Sequence, residues 1–205
     1  MLEKLRPFAD ESTEIIVIDD GSRDATASVA RRYPVRLLRH ERNSGKGAAI
    51  KTGIAAARGA AVIWIDADDT YPPSAVPAMI EALTGDYDLV YTSRSAGREN
   101  IPLLNRLGNA LFAWLTHTLY RFGPSDPFTG LCGVRKKHLE RMQLEADGFA
   151  IEVEVALKAG RMGLRMLDLP ISYGERIGRS KLNGPRDGLA IGLHLLRHLR
   201  WRPPD

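Results

Sequence analysis

Residues 62–74 of this 205-residue chain read VIWIDADDTYPPS, an apolar run that ends in Asp66, Asp68 and Asp69. Charge at the end of a buried strand costs free energy unless something compensates it. Hard divalent cations prefer carboxylate oxygens and often bridge a protein to a diphosphate. In a strand-end turn, Asp66 and Asp68 are separated only by the small Ala67, so both can face one cavity. The pattern therefore points to a Mg2+ or Mn2+ site at Asp66 and Asp68. The alternative is a solvated turn or helix cap, with Asp69 leading into TYPPS.

A second acidic tip stands in VIDDGSRDAT. Asp19 and Asp20 end another short apolar run, where a carboxylate can take the ribose hydroxyls or base edge of a nucleotide. The competing reading is an Asx-turn of Asp20 with Gly21 and Ser22, leaving Asp19 free. A third element, NSGKGAAIKTG, sets glycines around Lys46 at a helix start, as phosphate-binding loops do. It departs from the Walker pattern because Lys46 is followed by Gly47 rather than Ser or Thr. A lysine between two acidic strand ends suits a diphosphate-sugar pocket better than nucleotide hydrolysis.

These residues need elements to hold them. EIIVIDD, VRLLRH and AAVIWID read as strands, and DATASVARRY and GKGAAIKTGIAAARG as the helices between them. Asp24 would cap the first helix, Ala27, Val29, Ala30 and Tyr33 would face inward, and Gly59 would close the second helix. Strand–helix alternation implies right-handed βαβ units and a mainly parallel sheet flanked by helices, with ligands beyond the strands' carboxyl ends. Both acidic tips then lie on one sheet edge. A helix over PSAVPAMIEALTG and a strand over DLVYTSR follow. LLNRLGNALFAWLTHTLYRF is a long apolar amphipathic helix, suited equally to the core or to a membrane surface. TGLCGVRKKHLERM reads as a strand running into a helix, FAIEVEVALKAGRMG as a helix and LRMLDLPISYGER as a strand. The last helix has a leucine face and a cationic end, so 184–202 is a candidate membrane-surface helix. His194 and His198 stand one turn apart there, with no third ligand evident, and are expected on the exposed helix face.

Composition narrows the classes. Apolar residues make up 44% and charged residues 26%, which fits one globular domain over 1–205. The net charge of +4 is mild and its basic residues are dispersed, which disfavours nucleic acid as a partner. Cys132 is the one cysteine, so an internal disulfide is excluded and a small buried hydrophobe is expected. No run reaches membrane-spanning length, and the first residues lack the apolar core of a signal peptide.

Six segments stand in an order that resembles family 2 glycosyltransferases: IIVIDDGSRDAT, NSGKGAAIKTG, WIDADDTYPP, SDPFTGLCGVRKK, FAIEVEVALKAGRMG and ISYGERIGRSKLNGPRDG. The likeness is greatest to the branch that loads sugars onto dolichyl or polyprenyl phosphate. It implies a GT-A fold and inverting, metal-dependent transfer of a hexose from GDP-mannose or UDP-glucose to a polyprenyl phosphate. It further implies a peripheral position at the cytoplasmic face of the membrane. By position, Asp66 and Asp68 match the metal and diphosphate motif. Asp19, Asp20 and Lys46 match groups that line the nucleotide, and Glu152 and Glu154 an acid pair below the sugar. Asp126, Thr129 and Gly130 match the region near the sugar. Arg176, Ser180 and Lys181 match the loop that closes over the diphosphate, and Arg94 and Arg106 the cations for an acceptor phosphate. A phosphate acceptor is already nucleophilic and needs no base. A sugar-hydroxyl acceptor would need one, and Asp126 is the candidate. A degenerate nucleotide-sugar-binding protein is the non-enzymatic alternative. The resemblance also implies a strand before the first helix, which this sequence lacks, and hence an exposed sheet edge.

Overall fold

The computed structural model describes residues 1–97, 100–101, 103–120, 123–175 and 184–204. In chain order these form α1 (Leu2–Leu5), β1 (Ile16–Asp19), α2 (Thr26–Ala30), β2 (Arg36–Arg39), α3 (Lys46–Ala56), β3 (Ala61–Ile65) and α4 (Val76–Thr84). There follow β4 (Leu89–Ala96), α5 (Leu103–Tyr120), β5 (Leu131–Arg135), α6 (Lys136–Met142), α7 (Ile151–Arg161), β6 (Met166–Ser172) and α8 (Gly184–Arg197).

The strands form two sheets where sequence periodicity implied one. β1 and β2 pair in parallel, as a βαβ unit should. β3, β5, β4 and β6 form a second, four-stranded sheet in that order. In it β5 runs antiparallel to its neighbours β3 and β4, and β4 and β6 pair in parallel. β3, β4 and β6 therefore run the same way, as a mainly parallel sheet requires, and β5 is the one reversed strand among them. A short apolar strand such as LCGVR carries no mark of its direction, which its neighbours decide. β4 sits between two strands and is buried over its first six residues, whereas β1 and β3 keep partial exposure along most of their length.

Smaller corrections concern helix ends. α3 stops at Ala56, with Ala57 already extended, so Gly59 lies beyond its cap. Val29 of α2 is 42% exposed while Ala27 and Ala30 are buried, so that helix packs through its small residues. Asp24 accepts from the Thr26 N–H at 2.9 Å, but it lies one residue before the N-cap, Ala25.

The core lies on both faces of the four-stranded sheet. Leu89, Tyr91, Cys132 and Val134 pack against α6 and α7 on one side. Met79, Leu83, Val90 and Leu131 pack with Tyr71 and Tyr173 on the other. Cys132 is fully buried, as expected for a small hydrophobe. α7 is unusual in burying Glu152, Glu154 and Lys158 as well as its apolar residues. Such groups are rarely buried unless they are paired, and all three are.

Candidate active site

The carboxyl end of β3, the start of α3 and the start of α7 converge through Lys46. Its Nζ lies 2.9 Å from Asp66 Oδ1 and 2.5 Å from Glu152 Oε1. Burial disfavours the Lys46 charge, but the Glu152 and Asp66 carboxylates outweigh it and hold the ammonium well above its ordinary pKa. For Glu152, burial pushes the carboxyl up, Lys46 opposes that shift, and Asp66 adds to it. One ammonium thus serves two carboxylates, and the cluster keeps surplus negative charge. Asp66 packs directly on Gly130: a Cβ there would meet Asp66 Oδ2 at 2.2 Å. The Asp66 N–H also donates to the Gly130 carbonyl at 2.9 Å.

Asp68 closes the turn after β3. Its Oδ1 accepts from the Thr70 N–H at 3.2 Å and the Thr70 hydroxyl at 2.5 Å. Asp69 takes a left-handed φ of 67° and pairs with Lys4 at 2.5 Å, so it ties down α1. The residues suit a hard divalent ion: oxygen donors from Asp66 and Asp68 stand beside a cluster that is short of positive charge.

At the other acidic tip, the turn acid is Asp19 rather than Asp20. Asp19 is buried, accepts from the Ser22 N–H at 2.8 Å and pairs with Arg39 at 3.1 Å. Asp20 crosses to the glycine loop, accepting from the N–H groups of Ser44 at 2.8 Å and Gly45 at 2.9 Å. His40 bridges Asp20 at 2.7 Å and the Thr52 hydroxyl at 2.9 Å. Burial raises the Asp20 carboxyl, but the Ser44 N–H, His40 and the Gly45 N–H more than offset it and hold its pKa low. Neither acid is free, and Asp20 shapes the loop that presents Lys46.

Arg94 and Asp126 form one buried, bidentate pair, with Nε to Oδ2 at 2.5 Å and Nη2 to Oδ1 at 2.6 Å. The guanidinium also stacks 5.3 Å from the Tyr173 ring. Arg94 and Asp126 were expected in separate roles, acceptor cation and base, and the structure pairs them with each other. Tyr71, buried and edge-on to Tyr173 at 5.3 Å, feels the charges of Arg94, Asp66 and Lys46, so pair and cluster share one wall. Thr129 is buried below, 2.6 Å from the Thr92 hydroxyl. Arg106 is exposed on α5. Arg176, Ser180 and Lys181 lie outside the described residues.

His194 and His198 do not lie on an open face. His198 is buried, the rings stack at 4.2 Å, and Glu154 of α7 supplies the third group. Facing ligand atoms of the three lie within 4.8 Å of one another. Both Glu154 oxygens are already engaged, by Lys158 Nζ at 2.6 Å and by the N–H groups of Glu145 and Ala146 at 2.9 and 2.8 Å. Here Glu154 is committed to Lys158 and to the 145–147 turn. Sequence reading missed Lys158, although its i,i+4 spacing from Glu154 is the signal. It also missed His40 and Tyr71, which no local pattern marks. A cleft of about 340 Å³ lies at the opposite ends of β1 and β2, between Asp10, Glu14, Arg36 and Arg58, away from these groups.

Among solved structures, the fold matches glucosyl-3-phosphoglycerate synthase from Mycobacterium tuberculosis in complex with uridine diphosphate. The TM-score is 0.75 at 23% identity, covering all of this chain and 75% of that one. The fold class is therefore GT-A, the nucleotide-sugar-binding α/β fold. The Glycosyl transferase family 2 pattern matches residues 1–142, and the chain belongs to that family. A dolichyl-phosphate hexose transferase of Haloferax volcanii is 30% identical over 198 residues, covering 96% of this chain and 86% of the relative. Dolichol-phosphate mannosyltransferases of Mycosarcoma maydis and Pyrococcus furiosus are 32% and 31% identical over 84% and 92% of this chain. This chain spans 62% and 55% of those two relatives' lengths.

Proposed function

We propose that the chain transfers a hexose, with inversion, from a nucleoside diphosphate sugar to a polyprenyl phosphate, using Mg2+ or Mn2+. The observation that carries this is the Lys46 ammonium held between Asp66 and Glu152 at the mouth of the acidic strand ends. Lys46 contributes positive charge where a leaving diphosphate develops negative charge. A divalent ion on Asp66 and Asp68 would supply more of the same charge stabilisation. Asp19 and Asp20 hold the nucleotide-side loops in shape, and the Arg94–Asp126 pair lines the wall toward the acceptor.

The acceptor class is supported by the lipid-phosphate names of the relatives and by that pair. A hydroxyl acceptor needs a base, and both oxygens of Asp126 already accept from Arg94. A phosphate acceptor needs none.

The surface agrees with a lipid substrate. No helix among the described residues is long and apolar enough to cross a membrane. Leu107, Leu111 and Trp114 of α5 and Leu189, Leu193 and Leu196 of α8 nevertheless stand more than half exposed. The two helices touch, and Arg106, Arg197 and Arg200 are exposed on or beside them. Apolar stripes at i, i+4, i+7 beside cations fit the surface of an anionic leaflet. Placement at the cytoplasmic face follows from a nucleotide donor.

The deciding experiment is calorimetric titration of UDP and GDP, and their hexose conjugates, with and without Mn2+. Metal-dependent binding that disappears in Asp68→Ala is expected, followed by transfer of labelled hexose to polyprenyl phosphate in vesicles. Transfer to a sugar hydroxyl, with none to the lipid, would replace this reading.

A further inference from the structure

The buried network on α7 reaches the donor site by a continuous path. Glu154 has its charge matched by Lys158 Nζ at 2.6 Å, and His194 Nε2 of α8 stands 3.3 Å away. His198 Nδ1 lies 2.9 Å from the His194 carbonyl, which directs its other ring nitrogen at the acids. Burial alone would raise the Glu154 carboxyl, but His194, Lys158 and the N–H groups of Ala146 and Glu145 pull it down to about 2. A carboxylate held ionised inside the protein is a rigid acceptor. It fixes the 145–147 turn through the N–H groups of Glu145 and Ala146, at 2.9 and 2.8 Å.

That turn is the platform on which α3 begins. The Ala48 N–H donates to the Asp147 carbonyl at 3.1 Å, so the turn satisfies one of the unpaired donors of the first helical turn. Lys51 Nζ reaches the Glu145 carbonyl at 3.1 Å and Asp147 Oδ1 at 2.7 Å. The backbones touch: a Cβ on Gly45 would meet the Asp147 carbonyl at 2.3 Å, and one on Gly47 the Ala146 carbonyl at 2.2 Å. These glycines flank Lys46, whose stem leaves the same turn toward Asp66 and Glu152.

We propose that Glu154 is a positioning residue of the donor site: held by Lys158 and the α8 histidines, it pins the 145–147 turn and so places Lys46 for the nucleoside diphosphate. The inference rests on the donor-site reading above and assigns the control of that site. It also links α8, the helix with the exposed leucine stripe, to donor binding through buried contacts.

Glu154→Gln alone strands the Lys158 ammonium, so the double variant Glu154→Gln/Lys158→Met is the test, with Val155→Ala as a control that loosens α7 without touching the network. Two quantities are read: hydrogen exchange at the Ala48 amide in the unliganded protein, and the Kd for UDP and GDP with Mn2+. The double variant is expected to exchange Ala48 about tenfold faster and to bind nucleotide about tenfold more weakly. Val155→Ala is expected to lower the melting temperature and leave both unchanged. His198→Gln should move both readouts in the same direction by less. An unchanged Ala48 rate, an unchanged Kd, or matching changes in Val155→Ala each overturn the proposal. If wild-type protein binds neither nucleotide, the Ala48 rate still decides the pinning, and only the donor-site reading falls.

Discussion

Lys46→Met removes the cation from the Asp66–Lys46–Glu152 cluster while keeping much of the side-chain volume. Asp66 remains partly open to water, but Glu152 is only 3% exposed and is left as a buried acid without a counter-ion. Breaking a buried pair from one side costs about 3–5 kcal/mol when the remaining charge must stay. Glu152 has an escape, because it can take up a proton. Its pKa already lies above the ordinary 4.5, pushed by burial, and losing Lys46 removes the charge that opposes that shift. Neutralising it costs about 1.4 kcal/mol for each pH unit above 4.5. The loss is therefore at most about 3–5 kcal/mol at pH 7 and smaller at pH 5, where protonation is easier. The sign follows from linkage. With a raised folded pKa, the native state binds more protons than the unfolded chain, so stability falls as pH rises from 4.5 toward that pKa. Urea unfolding of wild type and Lys46→Met at pH 5 and pH 7 measures this. A deficit equal at the two pH values would refute the claim that Glu152 is the stranded group.

Other consequences are equally direct. Gly130→Ala should displace the Asp66 carboxylate, because its new methyl would sit 2.2 Å from Oδ2. Overpacking of this kind costs about 1–3 kcal/mol, and weakened Mn2+-dependent nucleotide binding by calorimetry is the functional readout. Asp126→Asn should lower stability by about 3–5 kcal/mol, as expected when one partner of a buried ion pair is lost. Any protein that still folds should retain measurable transfer to polyprenyl phosphate, since no base is required. Leu193→Ser with Trp114→Ser should abolish sedimentation with anionic vesicles while leaving the melting temperature within a few degrees. Each buried side chain of this kind contributes about 1.5–3 kcal/mol to such docking.

Local pattern in the sequence was enough to find the acidic strand ends, the glycine loop with Lys46, and most of the helices and strands. Short β-branched runs ending in Asp and Gly, and alanine-rich runs opening on glycine, are local signals, and local chemistry produces them. The order of the motifs was enough to indicate the family. The reversal of β5 and the split into two sheets were not legible, because an apolar strand of five residues has the same alternation whichever way it runs. Tertiary structure alone decided which acid closes which turn, since Asp19 and Asp20 are neighbours in sequence but face different partners, Ser22 and Arg39 for one and the 44–45 loop for the other. It also turned Arg94 and Asp126, separated by 31 intervening positions along the chain, into a single buried pair. The same holds for the histidines of α8, exposed by their helical pattern but drawn inward by Glu154. Spacing within one element predicts which face a residue shares, whereas the partner across an interface depends on how elements dock, and burial then makes that partner obligatory.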